Sequence, residues 1–443
     1  MVSSITGSQG KSLLIATTAA VGGLLFGYDT SVISGAILFL RKDFQLTSVE
    51  TEWAVSIVLA GALLGAGVGG YLGDRLGRKR ILILTAVLFG VFALATGMAS
   101  GLVLFMIARF VVGLAVGITS MITPLYIAEI APSRIRGGLV TLNQLAIATG
   151  IALAYGVGYF YADAGNWRAM FISAVIPSLI LLIALIFLPE SPRWLASQGR
   201  FDEARLILHR VQEADEAERN MKEIIDVVQV DRLRFVELFK PRFRKAIVLG
   251  VGLAVFQQIT GVNTIIYYTP TVLQMAGFDK AADAILTTVI IGVVNIFFTA
   301  ASILLLDRVG RRPLLLLSVG GMGLSLTHLG AQFGSAQASS FSIVVGVLVY
   351  LASFSVGLGP VFWLLISEIY PMTIRGQAMS LAAVTIWAFD WLVTVTFLSL
   401  IDYIGARGSF SLYALACAVA LLFCFKMVPE TKGRTLEQIE ASW

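Results

Sequence analysis

The chain has 443 residues, 57% of them hydrophobic and 13% charged, with a mean hydropathy of +0.87 and a formal net charge of +5. A soluble globular domain carries about 25% charged residues, so that class is excluded and the chain reads as an integral membrane protein. Apolar runs of about 20 residues predict transmembrane helices and not barrel strands.

In chain order, twelve spans are predicted near 12–35, 53–73, 81–99, 102–128, 139–161, 168–188, 246–276, 284–306, 313–332, 340–368, 377–401 and 408–427. The first run continues at spanning length without a cleavage signature, so no cleaved signal peptide is expected. An even number of spans places both termini on one side. That side carries 26 of the 32 Lys and Arg residues, against five on the other, with Arg109 inside a span. The positive-inside rule therefore predicts cytoplasmic termini, and the net positive charge reflects topology and is no signal for nucleic acid.

The sequence repeats itself. Ile127-Ala128-Glu129-Ile130-Ala131-Pro132-Ser133-Arg134-Ile135-Arg136-Gly137 returns as Ile366-Ser367-Glu368-Ile369-Tyr370-Pro371-Met372-Thr373-Ile374-Arg375-Gly376, with seven of eleven positions identical. Asp74-Arg75-Leu76-Gly77-Arg78-Lys79 returns as Asp307-Arg308-Val309-Gly310-Arg311-Arg312, and Pro189-Glu190 as Pro429-Glu430. The predicted organisation is all-α: a six-helix half over 1–188, a cytoplasmic linker over 189–245, a second six-helix half over 246–428 and a cytoplasmic tail over 429–443. Parallel halves imply a pseudo-two-fold along the membrane normal and a central cavity, the architecture of alternating-access carriers. In the linker, Ala204, Ile207, Leu208 and Val211, then Ile224, Val227 and Val228, recur at helical spacing and predict short surface helices, either a plain linker or a latch.

Polar groups inside apolar spans mark candidate sites. Gln257, Gln258 and Asn263 bracket Gly261, where a helix break would turn all three amides toward one cleft, with Tyr267 on the same face as Asn263. Amides and a phenol suit an uncharged ligand rich in hydroxyls; the competing use is stitching helices together. Asp29 and Arg109 each cost about 2.5–3.5 kcal/mol at a helix centre on insertion scales, so pairing is expected. A fixed pair would only dock spans 1 and 4, whereas a carboxylate alternating between Arg109 and a proton would couple transport. Cys417 and Cys424 lie seven apart on one face and read as packing residues; His209 and His328 have no ligand partner nearby in sequence. No metal, cofactor or catalytic nucleophile–base set is expected.

These residues carry a resemblance to the sugar porter family of the major facilitator superfamily over nearly the whole chain. It rests on Gly70-Tyr71-Leu72-Gly73-Asp74-Arg75-Leu76-Gly77-Arg78-Lys79, Pro189-Glu190-Ser191-Pro192-Arg193-Trp194-Leu195, Gln257-Gln258-Ile259-Thr260-Gly261-Val262-Asn263 and Pro429-Glu430-Thr431-Lys432-Gly433. The likeness is nearest to bacterial proton–monosaccharide symporters. It implies sugar contacts at Gln144, Gln257, Gln258, Asn263 and Asn295, with Tyr267 and Tyr268 closing over the ligand. Trp363 would stack on the sugar ring, and Trp387 would line the cavity. It implies proton coupling through Asp29 and Arg109. A cytoplasmic gate is implied from Asp74, Arg78, Glu129, Arg136 and Glu190, with Asp307, Arg311, Glu368, Arg375 and Glu430. Asp390 departs from the family, which commonly has Asn there, as does Ile386, where related symporters place Gln. The expected partners are a monosaccharide, protons and the lipid bilayer of a bacterial cytoplasmic membrane, with the monomer as the functional unit. A sugar uniporter is the alternative; a non-transporting sensor would want a longer tail, and a drug–proton antiporter a more apolar cavity.

Overall fold

The computed structural model describes residues 8–131, 136–228, 235–371 and 374–432; residues 8–19, 136–141, 226–228, 235–236, 303 and 307 are described by backbone alone. Every backbone polar group inside hydrocarbon needs an internal partner, which helices provide. The spans are Ser8–Asp43, Ser48–Leu76, Arg78–Gly97, Leu102–Ile130, Arg136–Phe160, Trp167–Phe187, Pro241–Met275, Ala281–Val309, Arg311–Phe333 and Ser340–Ile369, numbered 1 to 10. Spans 11 and 12 are one run, Arg375–Met427, that kinks at Gly405 (φ 75°, ψ 164°). The twelve expected spans are all present.

Small residues set how closely the spans pack. Gly61 and Gly65 on span 2 meet Gly113 and Gly117 on span 4, both pairs at four-residue spacing, and a Cβ at Gly113 would collide with the carbonyl of Val58. Spans 1 and 5 interlock in the same way: Gly27 lies against the carbonyl of Ile147, and Gly150 against that of Leu24. Without a hydrophobic drive between helices in lipid, such backbone approach supplies the association energy.

The repeat has matching local structure. Gly77 (φ 98°) and Gly310 (φ 106°) turn the chain between spans 2 and 3 and between spans 8 and 9. Each sits against a carboxylate, Glu190 or Glu430, at distances too short for a Cβ. These glutamates cap the helices that follow. Glu190 accepts from the Lys79 N–H at 3.0 Å, and Glu430 from the Arg311 and Arg312 N–H groups, both at 3.1 Å.

The linker folds as Pro192–Ser197, Phe201–Val211 and Ala214–Val228. Ala204, Ile207, Leu208 and Val211 are buried as their spacing predicts, and Ala217, Met221 and Ile224 complete a small core with Trp194 and Leu195. The side chains of Val227 and Val228 lie outside those described. His209 Nε2 is 2.9 Å from Glu218, which joins the two longer linker helices. Gln212 donates to the Ile130 carbonyl at 3.4 Å, docking them on the first half.

Candidate functional site

Two discontinuous spans build the site. Span 7 breaks into Arg244–Ile259 and Val262–Met275 at Gly261, whose φ of +88° is readily reached only by glycine. The freed backbone is satisfied within the second half: the Tyr350 hydroxyl donates to the Thr260 carbonyl at 2.8 Å. Span 10 breaks at Gly357, and the N–H of Leu358 just beyond it donates to Ser318 Oγ at 2.9 Å.

The expected amides do converge. Asn263 Nδ2 donates to Gln258 Oε1 at 3.0 Å and to Asp390 Oδ2 at 2.7 Å. Gln258 points toward Gln257 Oε1 at 3.5 Å, and Gln257 donates to the Leu358 carbonyl at 3.2 Å, tying the two broken spans together. Tyr267 donates to Asp390 Oδ2 at 3.2 Å, and Thr394 to its other oxygen at 3.2 Å. Asp390 is therefore the hub of the cluster, 1% exposed and held by neutral donors. With both Asn263 amide hydrogens and the Tyr267 proton committed, the cluster offers a ligand acceptor oxygens more readily than donors.

Other expected contacts are placed differently. Tyr268 turns into the second half, donating to the Thr394 carbonyl at 3.4 Å and packing on Phe397 at 5.1 Å, so it does not join Tyr267 over the cluster. Asn295 accepts from Ser355 at 2.6 Å and Thr299 at 3.3 Å, which gives it a helix-joining position. Trp363 is 37% exposed, with its ring edge-on to Phe362 at 5.1 Å. Gln144 is half-buried on span 5. Trp387 crosses between the halves: it lies 5.3 Å from Phe26 and donates to Ser120 Oγ at 3.3 Å.

Asp29 and Arg109 pair as their burial demands. Arg109 NH1 is 2.6 Å from Asp29 Oδ1, its NH2 reaches the Asp29 carbonyl at 3.3 Å, and its guanidinium lies 5.2 Å from the Phe171 ring. Both residues are almost wholly buried. Asp29 Oδ2 and Arg109 Nε have no hydrogen-bond partner among the described residues, so the pair is only partly satisfied.

At the end where the chain begins and ends, the ion pairs described each join residues of one half. Arg78 binds Asp74 at 2.8 Å and Glu129 at 3.1 Å, and Arg311 binds Glu368 at 3.0 Å. Ser191 and Thr431 donate to Glu129 and Glu368 in matched fashion, and Arg375 donates to the Tyr370 carbonyl. The side chains of Arg136 and Asp307 lie outside those described. Burial acts to raise the Glu430 carboxyl, but the N–H donors of Lys432, Arg311, Arg312 and Thr431 outweigh it and hold the group below the usual carboxylate range. The expectation of a gate drawn across the two halves is thus met here by pairs and caps within each half.

Contacts between the halves that the spacing of residues did not reveal lie elsewhere. Tyr155 donates to the Ile266 carbonyl at 2.9 Å. Glu52 binds Ser399, and Trp53 lies edge-on to Trp391 at 6.1 Å. Glu52 borders predicted span 2, where an acid passes for an interfacial flank, so only the packing of the halves identifies it.

Comparison with known proteins agrees with this geometry. A family model described as sugar (and other) transporter matches residues 15–443. The chain is 41% identical to a D-xylose transporter of Levilactobacillus brevis, over 96% of this chain and 94% of the relative. It is 38% identical to a galactose-proton symporter of Escherichia coli K12, over 98% and 94%. Among solved structures, the inward-open xylose transporter XylE of Escherichia coli superposes with a TM-score of 0.84 at 35% identity, covering 97% of this chain and 99% of that one.

Proposed function

This chain belongs to the sugar transporter family, and from that premise we propose that it imports a monosaccharide together with a proton by alternating access. Relatives of nearly full-length similarity are named as transporters of xylose and as a proton symporter of galactose. The observation that carries the coupled reading is the buried Asp29–Arg109 pair, with one carboxylate oxygen left without a donor among the described residues. A pair kept only for docking gains little from an unsatisfied oxygen.

In this reading Asp29 takes a proton while the carrier faces outward, which releases Arg109, and the sugar binds Gln257, Gln258, Asn263 and Tyr267 with Gln144 opposite. Trp363 and Trp387 supply apolar faces for the ring's C–H surface, and Asn295 supports the site from behind. Asp390 accepts from sugar hydroxyls once Asn263 or Tyr267 swings away. Rocking of the halves then exposes both cargoes inward, where the higher cytoplasmic pH removes the proton and Arg109 recovers its partner. The membrane potential adds about 2.3 kcal/mol per charge per 100 mV.

Both termini and the linker are assigned to the cytoplasm on the 26-to-5 distribution of basic residues. The carrier is assigned to the bacterial cytoplasmic membrane, with one chain as the working unit. Glu129, Glu368 and their arginines act as inner-end fasteners within each half, and Tyr268 serves as packing behind the site. The test is sugar-driven alkalinisation of the medium around cells or inward-oriented proteoliposomes given D-xylose or D-galactose. Uphill uptake that collapses with protonophore is expected; equilibration of either sugar without proton movement would leave a uniporter.

A further inference from the structure

The end opposite the termini is closed by a carboxylate that leaves its own half. Glu52 lies one turn into span 2, is 2% exposed, and directs both oxygens at a single residue of span 11. Oε1 accepts from the backbone N–H of Ser399 and Oε2 from its hydroxyl, each at 2.6 Å. Its charge is also within electrostatic reach of the Tyr268 and Tyr413 hydroxyls, deep in the second half. Beside it, Trp53 and Trp391 meet edge-on across the same seam. Thr51 and Leu398, each one residue before a partner in this contact, line a cavity of about 500 Å³ together with Ile37, Arg41, Gln45 and Gln274. The contact therefore forms a floor to that cavity.

A membrane carrier has little reason to bury an acid at a seam unless the seam works. Charge-assisted hydrogen bonds to a carboxylate are short and strong, and strongest where water is excluded. Once the halves part, the carboxylate is rehydrated and the loss is largely recovered, so such a contact holds firmly when shut without making opening prohibitive.

We propose that Glu52 is the outer latch of the carrier: it holds the two halves together at the Ser399 N–H and hydroxyl when the outer side is closed, and its withdrawal opens the path to the sugar site. This goes beyond the proposed symport and rests only on the outward orientation of this end. Substrate then enters through the cavity above the latch. The geometry is selective for a carboxylate, because a glutamine in its place would set an amide N–H against a donor.

The experiment uses full-length purified protein in detergent. Ile37→Cys places a thiol at a position 2% exposed in the cavity wall, while native Cys417 and Cys424 are buried in span 12. The labelling rate of Ile37→Cys by N-ethylmaleimide is compared in backgrounds with Glu52, Glu52→Gln and Ser399→Ala, against the protein lacking Ile37→Cys. The expected result is a rise of about tenfold for Glu52→Gln and a smaller one for Ser399→Ala, which keeps the backbone donor. Retained D-xylose or D-galactose binding shows that the fold is intact. Equal rates in all three backgrounds overturn the latch. If Glu52→Gln does not give folded protein, Ser399→Ala decides alone, with an unchanged rate overturning the proposal.

Discussion

Asp29 meets Arg109 through one carboxylate oxygen, 2.6 Å from the guanidinium, and holds its second oxygen buried with no hydrogen donor among the described residues. A proton on that second oxygen neutralises the acid without first separating the pair. Asp29→Asn should therefore abolish uphill accumulation of sugar while sparing counterflow exchange, measured with labelled sugar in membrane vesicles. Arg109→Ala should be worse for the fold, because it strands a buried carboxylate. A loss of about 3–5 kcal/mol is expected, read as a marked fall in melting temperature that Arg109→Ala combined with Asp29→Asn partly restores.

Asp390 draws two donors away from the sugar site, one from Asn263 and one from Tyr267. Asp390→Asn keeps one acceptor and adds a donor, so the order of preference among sugars should change more than the best affinity does. A panel of unlabelled D-xylose, D-galactose, D-glucose and L-arabinose competing against one label measures this. Shifts of about tenfold, equal to about 1.4 kcal/mol, are expected between epimers. An unaltered ranking would remove Asp390 from the site.

Asn263 also donates to Gln258, and Gln257 holds the carbonyl of Leu358. Asn263→Ala should weaken sugar binding by tenfold or more and leave the melting temperature nearly unchanged. Asn295→Ala should do the reverse, since Asn295 is engaged with Ser355 and Thr299 between helices. Calorimetric binding and thermal unfolding of the two variants separate these roles.

The close helix pairs set a limit on substitution. Gly113→Ala would drive a methyl group into the carbonyl of Val58, and Gly27→Ala one into that of Ile147. Overpacking of this kind costs about 1–3 kcal/mol. Both variants should unfold at lower temperature, whereas Gly70→Ala, with open space around the new Cβ, should not.

The fold was largely legible because membrane helices announce themselves by length and because the repeat pairs the halves. Gly261 between Gln258 and Asn263 foretold the break in span 7, and the lone charges Asp29 and Arg109 foretold each other. What stayed hidden depends on which way a side chain turns. Tyr267 and Tyr268 are neighbours in sequence, yet one joins Asp390 and the other packs on Phe397. The acids Glu190 and Glu430 looked like gate members from their matched positions, but two glycines at φ near +100° bring helix N-termini onto them. Contacts between halves, such as Trp387 with Ser120 or Glu52 with Ser399, join residues hundreds of positions apart and leave no mark in local spacing.

Gly405 joins spans 11 and 12 by itself, in a region of backbone space open only to glycine. That corner leaves no segment there for a protease to cut or an epitope to occupy, and any inserted tag must distort both helices. Residues 334–339, between spans 9 and 10, are exposed and form a better site for a surface marker on the working carrier.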